Sequence, residues 1–519
     1  MTITRSITYT GLIFGLFLGM PAFAQYAGDA FRYSEGNQFG TARFQGLGGN
    51  HASIGGDASS IFGNPAGLGF YNRSEISISP AVTSVNNKTT YIGDNNTTNK
   101  ANFNIAQASA IFTSQPSFER KWERSSFGIS YSRQQSFKEA YHFTGLNNRS
   151  AYVNKIVEDA NRNGTTLDQI DADFDSGSGS SGPIAYSLPS AYYNMYLINP
   201  TSQSGPPYTP LDNNSVLEQV GSYTGTGANT QWTLSYAGNY DNKFYIGGSL
   251  GFNRIKYDYD RVFTDHYVNS PDIIAADHDE RLTVSGNGVN LSLGVIYKVN
   301  PLLQFGGVLT TPTWSSLKET FSQGIGASFV DGKVVGPDGT LITPQFSYVP
   351  LAANEFVYRM SSPFKGSFGA TYFINQSGFI TGTVEYIGYG GMKVNTSYLS
   401  DAGNRAFKDE TIREIKDSYR NTVNLRVGGE YRVGVFRGRL GAAYISDPYI
   451  DRSAIDRSKL LFSAGVGVRN ERFFADISGT FKTSKSAYTP YFLNNAADYS
   501  SVELTNKTVN MVLTVGTFF

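Results

Sequence analysis

Asp171, Asp173 and Asp175 are spaced D-x-D-x-D and followed by Gly177. That spacing supplies the first ligands of a calcium loop. The sixth position is Ser176 rather than Gly, however, and the twelfth is Gly182 rather than Glu. A solvated acidic loop therefore competes with a cation site here. Gly46-Leu47-Gly48-Gly49 superficially suggests a nucleotide loop, but it lacks the preceding strand and following helix that such a loop needs. His51, His142, His266 and His278 are scattered and have no ligand spacing. The chain has no cysteine, which excludes disulfides, thiolate metal sites and thiol nucleophiles. No local motif pairs Ser or Asp with His as a hydrolase would require. The residues therefore predict neither an enzyme nor a resident metal or cofactor.

The composition points elsewhere. The 519 residues carry 42 Lys+Arg against 42 Asp+Glu, so no basic excess exists to attract nucleic acid. Aromatic residues make up 14% of the chain, Gly is abundant at 56, and charged residues are only 16%. Such counts fit many short strands and turns. Past the N-terminus there is no apolar run of about 18 residues, which argues against membrane-spanning helices. Residues 1–24 read as a secretory signal: Arg5 is followed by the apolar stretch 11–20, and Ala22-Phe23-Ala24 gives a small-x-small cleavage pattern.

Strands follow from a period of two. In 243–253, Phe244, Ile246, Gly248, Leu250 and Phe252 share one face, with Tyr245, Gly247, Ser249, Gly251 and Asn253 on the other. The pattern recurs at 289–298, 423–432 and 473–482. One face is bulky and apolar and the other small, polar or charged, as lipid outside and water inside demand. Closure pairs every backbone group, which hydrocarbon requires. The segments predict a fourteen-stranded transmembrane antiparallel β-barrel over 75–519. Its strands fall at 75–85, 101–113, 125–137, 230–240, 243–257, 281–299, 302–312, 356–374, 378–395, 419–433, 436–446, 458–470, 472–482 and 501–519. Connections after even-numbered strands are tight. Those after odd-numbered strands are mostly longer, including 86–100, 258–280, 313–355 and the very long 138–229. In outer-membrane barrels short turns are periplasmic and long loops extracellular, which places both termini in the periplasm. The closing strand alternates to Phe519, a terminal signature for insertion by barrel-assembly machinery.

Residues 25–74 read differently. They are Gly-rich, with a compact turn at Asn64-Pro65-Ala66-Gly67. A barrel this wide is not filled by its own side chains, so this segment is the natural plug. With Gly46–Gly49, Gly55-Gly56-Asp57-Ala58-Ser59-Ser60 and Asn64-Pro65-Ala66-Gly67 before the first strand, the chain resembles the FadL/TodX family of outer-membrane transporters for hydrophobic compounds. Thr310-Thr311-Pro312-Thr313-Trp314 and Phe519 add to the likeness. The resemblance implies a hatch at 25–74, capture of ligand by apolar loop surface, a lumenal binding site, and release by hatch movement beside an inward-kinked strand. It implies a bacterial outer-membrane location and a hydrophobic ligand such as a long-chain fatty acid.

Within the long loop, Tyr186, Leu188, Tyr192, Tyr193, Tyr196, Leu197 and Ile198 are candidates for ligand capture, since apolar surface marks binding; a self-packed loop domain is the alternative. Residues 150–162 have Tyr152, Val153, Ile156, Val157 and Ala160 at helical spacing, either a capture groove or a helix packed on the rim. Lumen charges such as Glu385, Arg426, Glu430, Arg432, Arg469 and Asp476 either guide ligand or pair with each other and the plug. A second functional class stays open: a structural or secretion-associated barrel that docks a protein partner through its long loops.

Overall fold

The computed structural model describes residues 21–36, 39–114, 121–177, 182–335, 340–452 and 455–519. Most of the expected signal, 1–20, lies outside the described residues. The wall is a closed antiparallel barrel. Its strands are β1 Glu75–Tyr91, β2 Asp94–Ser114, β3 Trp122–Ser136 continued by Glu139–Asn147, β4 Val216–Tyr240, β5 Phe244–Val268 and β6 Ile273–Asn300. There follow β7 Leu303–Thr310 and Trp314–Phe329, β8 Asn354–Ser361 and Lys365–Ile374, and β9 Gly378–Ile387 and Lys393–Asn395. The last are β10 Thr422–Val433, β11 Phe436–Ile445, β12 Lys459–Arg469, β13 Phe473–Tyr488 and β14 Val502–Phe518. Each pairs with its chain neighbour, and β14 closes the ring on β1. The pleat sends Phe252, Leu291, Leu425, Ile477 and Leu513 outward and exposed, while Asn253, Asn290, Asn424 and Ser478 turn inward and are buried.

Tight turns close one rim for local reasons. Asp241 and Asn242 both take positive φ, 53° and 50°, the conformation of a two-residue hairpin that short polar side chains tolerate. Asn300 and Asn470 each accept two backbone N–H groups through their side-chain oxygens.

The other rim differs from the expected long loops. Residues 86–100 are not a loop: β1 and β2 continue to a turn at Ile92-Gly93. Likewise 258–280 is mostly strand, with β5 and β6 paired as far as His266–Ala275. The expected end of β7 at residue 312 is a kink, after which the strand resumes to Phe329. Within 138–229, residues 139–147 and 216–229 are strand, and the other described residues fold into a cap. After helices α1 Pro21–Ser34 and α2 Ala42–Gly46, the cap contains α3 Tyr152–Asn163, α4 Leu167–Ala172 and α5 Leu188–Asn194. Its core joins Tyr152, Ile156, Tyr192, Leu197 and Ile198 to Phe263, Ile325, Val349 and Tyr491 from the wall and neighbouring loops.

Phe519 ends the closing strand at the tight-turn rim. Its N–H and C=O both pair with Ser74, and its exposed ring lies 6.3 Å from that of Phe112. Deleting Phe519 removes both bonds and the terminal aromatic. The yield of heat-modifiable, folded barrel in isolated membranes should fall severalfold; an unchanged yield would show the terminal signature to be dispensable.

Candidate functional site in the barrel lumen

Residues 39–71 pack against the inward face of the wall. The backbone runs close enough that many contact positions on the wall have no room for a side chain. A Cβ at Gly294 would fall on Asn64 and Pro65, one at Gly247 on Pro65 and Ala66, and one at Gly306 on Ala52 and Ser53. Gly428 and Gly441 face Leu47 and Gly48 in the same way. These inward glycines lie on β5, β6, β7, β10 and β11. Several form adjacent pairs in the sequence, Gly247-Gly248, Gly306-Gly307 and Gly428-Gly429. Gly within a strand marks close backbone approach, and this is the signal the periodicity reading passed over.

The Asn64-Pro65-Ala66-Gly67 turn is the seat of the segment. Asn64 caps a short 3-10 helix, its side-chain oxygen accepting from Ala66 N at 3.1 Å. Its amide nitrogen donates to Ala52 O at 2.5 Å and, at 3.3 Å each, to Val295 O and Gly307 O of the wall. One side chain thus fixes both the turn and its place on β6 and β7.

Charge adds a second anchor. Glu430 on β10 accepts from Arg43 Nε at 3.1 Å, Arg439 Nε at 2.7 Å and Arg432 Nε at 2.7 Å. Arg439 Nη1 also donates to Asp476 at 2.6 Å. Arg426 pairs with Glu385 at 3.0 Å, and Arg469 lies 3.7 Å from Glu75. The lumen charges proposed from sequence therefore pair with one another, and Arg43 brings the N-terminal segment into the network.

Before this segment, α1 Pro21–Ser34 packs inside the barrel against Tyr257, Tyr358, Tyr389 and Tyr419. Phe31 stacks on Tyr419 at 4.9 Å, and Tyr26 meets Phe407 of α6 Asp401–Ser418 at 5.0 Å. Tyr26 OH donates to Glu319 at 2.7 Å. Two connected chambers surround the stretch after α1, sharing Glu35, Phe39, Gln135 and Lys459. The first is lined by amides and hydroxyls, among them Gln231, Asn253, Asn290 and Thr313. Asn290 donates to Asn253 and Thr313 at 3.0 Å each. The second is cationic: Lys100, Lys138, Arg457, Lys459, Lys482 and Lys485 line it, against Glu35 and Glu139. Burial would raise the Glu35 carboxyl, but Lys459 beside it holds it below the usual range.

The second chamber reaches a break in the wall. β2 and β3 pair only from Gln107–Ser132 to Ser114–Ser125. Beyond that β3 bends inward at Phe137-Lys138, and its continuation passes inside the β1–β2 hairpin. Asn87 and Thr89 of β1 donate to Ala140 O and His142 O of β3. Side chains alone bridge the parted edges, including Lys138 Nζ to Asn102 at 2.6 Å. Opposite, β7, β8 and β9 break at 311–313, 362–364 and 388–392. Pro312 and Pro363 lack the N–H that a ladder needs, and Thr313 N turns instead to Ser362 Oγ at 2.8 Å.

A closed fourteen-strand wall, an inward-bent third strand and a buried N-terminal segment together invite comparison with known barrels. The structure is similar to that of a FadL homologue of Pseudomonas aeruginosa, with 12% identity, 93% of this chain and 99% of that one covered, and a TM-score of 0.54. It is similar also to the Pseudomonas putida toluene transporter TodX, with 11% identity, 94% and 100% coverage and a TM-score of 0.50. The fold is that of the FadL/TodX barrels. No protein-family model and no curated protein matches the sequence.

The remaining sequence candidates fall as follows. Tyr192, Leu197 and Ile198 are buried in the cap core, Leu188, Tyr193 and Tyr196 are half-buried, and only Tyr186 is exposed. The apolar patch expected on the loop surface is thus largely interior, because the cap has enough apolar side chains to close on itself. The helix expected at 150–162 is α3, and Tyr152, Val153, Ile156 and Ala160 turn into the same core. Asp171 lies in α4, Asp173 caps it, and Asp175 accepts from Gly177 N at 2.9 Å on a short strand. No cluster of three metal-ligating side chains occurs among the described residues.

Two outcomes are expected. Gly294→Val should unseat Asn64 and raise single-channel conductance in planar bilayers, whereas Gly479→Ala, where an added Cβ meets nothing, should not. Equal conductance in the two variants would detach the glycine contacts from lumen closure. Tyr192→Ala should cost the cap about 3 kcal/mol or more, read as faster limited proteolysis within 148–215 while the barrel stays intact.

Proposed function

We propose that the protein is a passive outer-membrane transporter of hydrophobic compounds, with amphiphiles such as long-chain fatty acids as its ligands. The observation that carries this reading is the wall break between β2 and β3, which opens beside a chamber inside the barrel. An apolar tail can leave through such a break directly into lipid and need not cross the periplasmic side of the barrel. The cationic lining suits a carboxylate at the other end of the molecule. The named neighbours are a FadL homologue and a toluene transporter, which supports transport rather than catalysis.

In this reading residues 25–74 are the hatch, Asn64-Pro65-Ala66-Gly67 its hinge on the wall, and β3 the kinked strand. Ligand enters past the cap, where Tyr186 is the open member of the 186–198 group. Engagement of Tyr192 or Leu197 requires the cap to loosen. The C-terminus lies at the periplasmic side, where Phe519 is read by the assembly machinery; the expected periplasmic N-terminus does not fit α1, whose Tyr26 and Phe31 pack on Phe407 and Tyr419 toward the long-loop rim. A second reading draws on the cap's closed core: exposed Tyr186, Leu341, Tyr348 and Phe492 suit a docked protein partner.

The chain has no cysteine, so an introduced pair is unique. Asn102→Cys with Lys138→Cys places two thiols across the break. Crosslinking the pair with a disulfide-containing bismaleimide should cut uptake of a labelled long-chain fatty acid at least severalfold, and reduction of the linker should restore it. Uptake indifferent to the crosslink would remove the wall break from the route and favour the docking reading.

A further inference from the structure

We infer that the outer face of β3–β8 carries a binding site for the phosphate groups of an outer-leaflet glycolipid. Tyr131, Trp232, Phe252, Val289 and Trp314 are register partners from β3 to β7, and they end the apolar outer face of these strands. Aromatic rings at that position mark the edge of the hydrocarbon. The next register row reads Arg133, Thr230, Arg254, Asn287, Ser316 and Arg359. The row after it adds Lys256 and Lys318. Five cations thus stand on two rows whose outward positions hold no carboxylate. Acidic partners come only further along: Asp258 lies 4.0 Å from Lys256 and Glu355 lies 2.9 Å from Lys318.

The arginines are the decisive members. Arg254 and Arg359 are exposed, and their side chains make no hydrogen bond or ion pair among the described residues. Arg133 is half-buried, with Nε and Nη1 unpartnered. Strand spacing of about 4.8 Å puts Arg133 and Arg254 about 10 Å apart, and Arg254 and Arg359 about 14 Å. Asn287 and Ser316 lie between the latter two and add neutral donors. Guanidinium groups bind phosphate through paired N–H donors, and their stems lie along the apolar belt while the heads reach the head-group layer. A ligand with acyl chains below and more than one phosphate above meets both requirements. The site rests on the barrel lying in an outer membrane and is independent of what passes through the lumen.

Native mass spectrometry of the full chain in mild detergent tests it, with bisphosphorylated lipid A as probe. The intact protein should retain bound lipid A, and should retain at least tenfold less of the fully dephosphorylated form. Arg133→Gln, Arg254→Gln and Arg359→Gln together should lower lipid A binding by a similar factor, and the corresponding Arg→Lys variant should recover part of it. Lys88→Gln with Lys507→Gln, exposed on strands outside the site, controls for a general loss of charge. Equal binding of phosphorylated and dephosphorylated lipid, or undiminished binding by the triple Gln variant, overturns the site. The wall-break crosslink does not touch these residues, so failure here leaves the transport reading standing, and the reverse holds.

Discussion

A ring of fourteen strands is wider than its inward side chains can fill, and the N-terminal segment meets that constraint by laying backbone on backbone. The inward glycines at 247, 294, 306, 428 and 441 allow this approach, and Asn64 then bonds wall carbonyls directly. Buried polar groups must find partners, and here the partners of the N-terminal segment belong to the wall. Arg43 and Glu430 extend the same dependence to charge. Removing one member of such a buried network leaves the others uncompensated, typically at about 3–5 kcal/mol. Wall and segment are therefore coded together.

Hydrocarbon forbids unpaired strand edges, yet β2 and β3 part. The two facts are compatible because β3 does not leave an empty edge behind it: its continuation stays paired with β4 while β1 reaches it through Asn87 and Thr89. The remaining bridges between β2 and β3 are single side-chain hydrogen bonds, each contributing only about 1 kcal/mol net. A wall held by its ladders elsewhere and by side chains at one seam has a defined place to yield.

Strand number, short-turn rim and closing strand were legible because alternation and turn chemistry act locally. Asp241-Asn242, Asn300 and Asn470 announce their turns without tertiary help. The upper parts of β1, β2, β5 and β6 were not, because above the membrane neither face meets lipid and the alternation loses its apolar half. Asn86–Asn99 and Asp258–Asp260 read as loop for that reason. The Asn64 turn was legible as a turn, but its wall contacts depend on Gly294, some 230 residues away. The cap stayed open between a binding surface and a self-packed domain, because apolar content says that a segment buries something and does not say against what; Tyr192 turns into the cap's own core.

The lengths of β5 and β6, 25 and 28 residues, have a consequence for where the molecule meets its surroundings. At about 3.3 Å per residue and a tilt near 40°, such strands rise roughly 60 Å, against an apolar band of about 25 Å. More than half of each strand is a chimney. The cap is carried on it well clear of the apolar band, so what it meets it meets in water and not at the lipid surface.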